Sequence, residues 1–214
     1  MVNLASKVKG WQFGLINVSG DIEDGWPIGL VNYSRSGLFN FSAWRDEVGL
    51  NMFTLTSGSR SFYSSFTTGF HDRNSRRTWA LGLGFGLQQS WRRAYVGLKL
   101  SQYRISREFD GDYSVRIEVR PPTVDLGLGD PSVVNHLSRA KLEMGVVFDP
   151  RSSAWTLPFW SEEVTWSLFG GVSVNQLWTD GNSRLIEPEN GYDREWGDDL
   201  FIWPGFFFGL RYGR

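Results

Sequence analysis

Alternation of apolar and polar residues with a period of two dominates this sequence. From Trp79 to Leu87 one face carries Trp79, Leu81, Leu83, Phe85 and Leu87, and the other carries Ala80, Gly82, Gly84 and Gly86. Ala94, Val96, Leu98 and Leu100 alternate with Tyr95, Gly97, Lys99, Ser101 and Tyr103. Ala140, Leu142, Met144, Val146 and Phe148 alternate with Arg139, Lys141, Glu143 and Gly145. Trp166, Leu168, Val172 and Val174 alternate with Ser167, Phe169, Gly171, Ser173 and Asn175, and Phe206, Phe208 and Leu210 with Phe207, Gly209 and Arg211. This is the pattern of strands with two unlike faces. Strands are predicted near 11–18, 26–33, 37–44, 48–56, 60–70, 78–90, 92–106, 136–148, 163–178 and 199–213. The fold class this implies is all-β, an antiparallel up-and-down transmembrane β-barrel of about ten strands (range about 8–12), with residues 1–214 as a single barrel domain.

Alternation does not by itself decide which face is wet. A small soluble barrel buries its apolar face, whereas an outer-membrane barrel turns that face to lipid and keeps a polar interior. Three features favour lipid. The polar faces mix glycine with isolated charges, which suits a crowded interior better than a solvated exterior, where glycine only weakens a strand. A 13-residue strand rises about 43 Å and, tilted about 40°, crosses about 33 Å. Aromatics gather at strand ends, with Trp79, Trp178, Trp196 and Trp203 expected at one interface and Trp91, Trp155, Trp160 and Tyr212 at the other. Two such belts match the two faces of a bilayer. Leu81, Leu83, Phe85, Leu98, Leu142 and Val172 are therefore expected to face lipid, and the bacterial outer membrane is the expected location. If the last strand runs inward, the longer connections (19–25, 45–47, 71–77, 107–135, 179–198) are external and the shorter ones (34–36, 57–59, the bend near Ser90) internal, with 149–162 the long exception.

Residues 10–33 contain a repeat. Gly10, Trp11, Gly14, Leu15 and Asn17 recur 15 residues later as Gly25, Trp26, Gly29, Leu30 and Asn32. Such a unit is either a strand and turn of a meander or one coil of a small solenoid, and the hairpins that follow favour the meander. These GLxIGLxN units, followed by the stretches beginning at Trp44 and Ser57, resemble a bacterial outer-membrane surface-repeat barrel family of uncharacterised function. The resemblance is clearest over residues 8–70. It implies an outer-membrane location and supplies no activity, and, because such proteins usually carry a signal peptide and often more repeats, it implies a truncated chain or a wrongly placed start.

Composition narrows the chemistry. The chain has 214 residues, with 22 basic and 23 acidic residues and a net charge of −1, so no polybasic footprint points to nucleic acid. It has no cysteine and two histidines, which excludes thiol nucleophiles, disulfides and thiolate metal sites. Its 16 Phe, 11 Trp and 7 Tyr stand beside 25 glycines, a β-rich composition. No run approaches the roughly 20 apolar residues of a spanning helix. No cofactor or metal is expected.

Candidate chemistry is sparse. His136 and Ser138 share one strand face, which sets a base beside a hydroxyl, as in the His-x-Ser of lipid A deacylase barrels. Arg139 stands where that motif continues with Asn, and Glu143 falls on the opposite face, so an interfacial histidine is the favoured reading. His71 and Asp72 begin a short basic loop in which Arg73, Arg76 and Arg77 could grip lipopolysaccharide phosphates bidentately. The acidic 179–198 connection lacks calcium-loop spacing and reads as a hydrated loop. Lys99, Arg139, Lys141, Glu143 and Arg211 are expected inside the barrel, bracing the wall by mutual pairing; in the competing reading they line a narrow anion-preferring conduit. The expected role is structural or surface-interacting, without catalysis and with outer-membrane lipid as the partner. The alternatives are a passive channel, a lipid A-modifying hydrolase and a soluble barrel enclosing an apolar ligand.

Overall fold

The computed structural model describes residues 2–29, 31–73, 76–106, 117–120, 123–126, 134–148, 165–179, 184–186, 194–195 and 199–213. Fourteen strands and no helix occur among them: β1 (Val2–Phe13), β2 (Ile16–Ile28), β3 (Val31–Ser34), β4 (Leu38–Asp46), β5 (Asn51–Gly58), β6 (Phe62–Arg73), β7 (Arg76–Trp91), β8 (Ala94–Ser106), β9 (Ile117–Arg120), β10 (Thr123–Leu126), β11 (Val134–Phe148), β12 (Thr165–Thr179), β13 (Arg194–Glu195) and β14 (Leu200–Gly213).

Eight of these close a barrel. Antiparallel pairing runs from β4 through β5, β6, β7, β8, β11 and β12 to β14, and β14 returns to β4. The wall therefore has eight strands, which lies within the expected range and below its centre. Strand ends agree with the alternation pattern to within about three residues, because the two-residue period stops where the chain leaves the sheet. β9 and β10 form a separate hairpin between β8 and β11, and β13 adds two residues to the end of β14.

The first two expected strands are not part of this wall, and the meander reading fails for them. β1, β2 and β3 form a parallel sheet in that order. Val2 lies beside Ile16, so fourteen residues bring the chain back to its starting point one strand higher. Parallel neighbours joined by two residues require each segment to wind a full coil, and this is a short solenoid. Gly10, at φ +86°, sits in the left-handed region that glycine tolerates. A register shift at Val8–Lys9 lengthens the offset from 14 to 15, which is why Trp11 faces Trp26 while Asn3 faces Asn17.

The solenoid is held by a column of carboxamides. Asn3 Nδ2 donates to Asn17 Oδ1 at 2.8 Å, Asn17 Nδ2 to Asn32 Oδ1 at 2.7 Å, and Asn32 Nδ2 to Ser64 Oγ at 2.8 Å. The Ser57 hydroxyl accepts the Asn32 amide at 3.0 Å. Ser57 and Ser64 are cross-strand partners on the outward face of β5 and β6, yet both are buried. Serine replaces the apolar residues of that face because the amide column ends there and its last donor needs an acceptor.

Inside the barrel, glycine makes room for tyrosine. Tyr63 faces Gly86, Tyr103 faces Gly82 and Tyr95 faces Gly145 across adjacent strands. In each pair a Cβ on the glycine would run into the tyrosine ring. The alternating glycines of the polar face are thus the slots in which three rings lie flat against the wall.

Candidate functional site

The barrel interior is a charged, filled core. Lys99, Arg139, Lys141, Glu143 and Arg211 all point inward and are buried, with Arg139 and Lys141 each 2% exposed. The structure adds two carboxylates that strand periodicity did not reveal, Asp46 and Glu47. Asp46 ends β4 and Glu47 opens the β4–β5 connection, which folds into the interior instead of standing out in solvent.

Asp46 organises that fold. One carboxylate oxygen accepts the Leu50 amide at 2.9 Å, and the other pairs with Arg139 Nη2 at 2.8 Å. Val48 and Leu50 are buried below it, and Gly49 takes φ +80°. Glu47 Oε1 accepts from Trp203 Nε1 at 2.7 Å and Asn175 Nδ2 at 2.8 Å, while Oε2 accepts the Phe206 amide at 3.2 Å. Arg139 Nε donates to Asn175 Oδ1 at 2.6 Å, which joins the two carboxylates into one network.

Towards the other end, Arg211 pairs with Glu143, donates to Gln88 Oε1 at 3.1 Å, and lies 4.5 Å from the Tyr95 ring and 5.0 Å from that of Phe169. Between the two pairs sits Lys141. Its ammonium is 3.0 Å from the Trp44 ring centroid and 3.9 Å from that of Phe207. Lys99 lies directly opposite Lys141 in the β8–β11 register. Four cations thus face three carboxylates, so the basic excess expected from sequence is nearly balanced by Asp46 and Glu47.

The outer wall has the opposite character. Phe85, Leu98, Leu142 and Val172 are exposed, and Leu81 and Leu83 are half-buried on the same face. Leu98, Leu142 and Val172 form one row across β8, β11 and β12. The row continues in kind on β14, where Phe206, Phe208 and Leu210 are exposed. Apolar side chains dominate the outward face of the described wall, with Arg45 and Arg104 on that face near strand ends, while Lys99, Arg139, Lys141, Glu143 and Arg211 face inward. The described interior is occupied by ion pairs and aromatic rings.

Of the expected aromatic belts, Trp178 stays exposed at one end of the wall, where Trp79 is half-buried, and Trp91 and the Trp166–Tyr212 pair (centroids 4.7 Å apart) stand at the other. Trp203 is a correction: it is fully buried and turned inward to Glu47. Its odd number, shared with Phe207 and Arg211, was the available signal. Trp155, Trp160 and Trp196 lie outside the described residues.

His136 and Ser138 share the outward face of β11, and Ser138 Oγ donates to Gln102 Oε1 on β8 at 3.4 Å. Glu143 is on the inward face, committed to Arg211. The structure therefore brings the histidine and serine to one face and places Glu143 on the other. Arg73 and Arg76 are cross-strand partners at the tip of the β6–β7 hairpin, with Arg77 opposite Asp72. His71 packs against Gly49 of the inward turn. Most of the acidic 179–198 connection lies outside the described residues.

Comparisons with protein-family models, with curated proteins and with solved structures each found no match.

Proposed function

We propose that this chain is an integral β-barrel of the bacterial outer membrane, with a structural or surface-interaction role and no catalytic step. The observation that carries the reading is the inversion of polarity: a closed wall with leucine, phenylalanine and valine outside and arginine–carboxylate pairs inside. Such a wall in water exposes a continuous apolar belt far larger than soluble monomers tolerate. In a bilayer the same belt is solvated, and the closed hydrogen-bonded ring leaves no strand edge in lipid. From Ala140 to Phe148 the outward residues of β11 are apolar over about 23 Å of height at a tilt of about 40°. Arg73, Arg76 and Arg77, at a hairpin tip on the external side, are suited to lipopolysaccharide phosphates as the lipid partner.

The paired charges brace the wall. Each cation except Lys99 has a carboxylate or a ring within contact distance, and the Asp46–Leu50 turn crosses the space a solute would need. Expression with an export signal tests the reading. The protein should stay in membranes after alkaline extraction, require detergent once purified, and leave planar bilayers silent. A monodisperse protein in plain buffer would overturn the membrane assignment, and steady single-channel currents would overturn the bracing role.

A further inference from the structure

The amide column has a direction, and it ends at an acceptor. In Asn17 and Asn32 the Nδ2 group donates twice, once toward the next side chain of the column and once to a carbonyl of the neighbouring turn, Ile28 O or Gly29 O at 3.1 Å. Asn3 does the same, giving one bond to Asn17 and one to Phe13 O. Each Oδ1 of Asn17 and Asn32 is filled by the Nδ2 of the preceding coil. For Asn3, the outermost member, the same geometry turns Oδ1 to the open side of β1.

Among the described residues, β1 pairs with β2 alone, which makes that side an edge. In a parallel strand successive residues direct their amides to alternate sides, so about half of the β1 backbone groups face away from β2. Leu4, Trp11 and Phe13 are 78%, 64% and 58% exposed along this coil, with the Trp11 and Phe13 rings stacked 6.0 Å apart. Charges also follow the coil order: Lys7 on β1 stands beside Asp21 on β2.

We propose that the β1 edge receives an extended segment of another polypeptide, laid parallel to Val2–Phe13 as one further coil, with an asparagine opposite Asn3, an acidic residue opposite Lys7 and an aromatic residue opposite Trp11. The asparagine Nδ2 completes the column by donating to Asn3 Oδ1, and the backbone of the segment takes up the open half of β1. A second copy of the same edge does not meet these terms. Two β1 edges related by a two-fold axis run antiparallel, so the register that sets Lys7 against Lys7 puts Trp11 instead of an asparagine opposite Asn3.

The test is a peptide titration read by amide hydrogen exchange on the intact protein. The probe is a peptide with the chain's own Ile16–Ile28 sequence, which carries Asn, Asp and Trp at the required spacing. It should slow exchange at the β1 amides that face away from β2, while the barrel amides stay unchanged. A peptide with Asn17→Ala should bind at least tenfold more weakly, and so should one with Asp21→Lys. Because the changes are in the peptide, folding of the protein is not at stake. Absence of protection at millimolar peptide, or equal binding by the Asn17→Ala peptide, would overturn the proposal. So would protection of the same amides by raising the protein concentration alone, which would make a second copy the occupant. None of these outcomes depends on whether the barrel lies in a membrane.

Discussion

The guanidinium of Arg139 on β11 meets the carboxylate of Asp46 on β4 inside the barrel, at 2.8 Å, with both side chains essentially inaccessible to water. The two residues are 93 positions apart. β14 and β12 lie between their strands, so the pair ties separated parts of the wall and pins the end of β4 where the inward turn begins.

Removing one partner strands the other charge in a dry core. Asp46→Ala should cost about 3–5 kcal/mol, and Arg139→Met a similar amount. The double variant should cost clearly less than the two single changes together. Urea unfolding of the protein in detergent micelles gives the cycle, and additive losses would show that the pair is not coupled.

Lys141 invites the opposite expectation. Its ammonium is buried against Trp44 and faces Lys99, so charge removal relieves both desolvation and like-charge repulsion. Lys141→Met, which keeps the methylene stem, should leave the unfolding midpoint unchanged or raise it. A loss above about 2 kcal/mol would mean that the cation–ring contact outweighs those terms.

The tyrosine slots should be sensitive to small additions. Gly82→Val places a branched side chain where the Tyr103 ring lies, and should destabilise the barrel by about 1–3 kcal/mol. Tyr103→Ala in the same chain should recover part of that loss by vacating the slot. Thermal unfolding followed by circular dichroism distinguishes this from a simple loss of strand propensity, which the second change would not rescue.

The joint between solenoid and wall rests on Asn32. Asn32→Ala removes its bonds to Ser64 and Gly29 and the acceptor for Asn17, a local loss of about 2–3 kcal/mol. Hydrogen exchange should quicken through residues 2–28, while the barrel's unfolding transition stays within about 0.5 kcal/mol. A parallel fall in barrel stability would mean that the two parts unfold together.

Strand position and facing were legible in the sequence because both depend on a local period. Lys99, Lys141 and Arg211 sit on the mixed faces of the β8, β11 and β14 segments, and the structure places them inside. What escaped is what periodicity does not encode. Asp46 and Glu47 lie at and beyond the end of a strand, and only the closed wall shows that their turn folds inward. The repeat between Gly10 and Asn32 was visible, but its pairing was not: a 15-residue spacing fits a hairpin meander as well as a coil. The matched asparagines were the discriminating feature, since like residues stack in register along a parallel column and fall out of register in a meander.

The one-way run of donors toward Ser64 has a consequence for the order of assembly. The serine that anchors the column belongs to β6, so the hairpin of β5 and β6 must exist before the coil nearest to it has anything to grip. The residues from Asn3 to Asn32 precede Ser64 in the chain, so the coils are anchored on a hairpin that follows them in sequence.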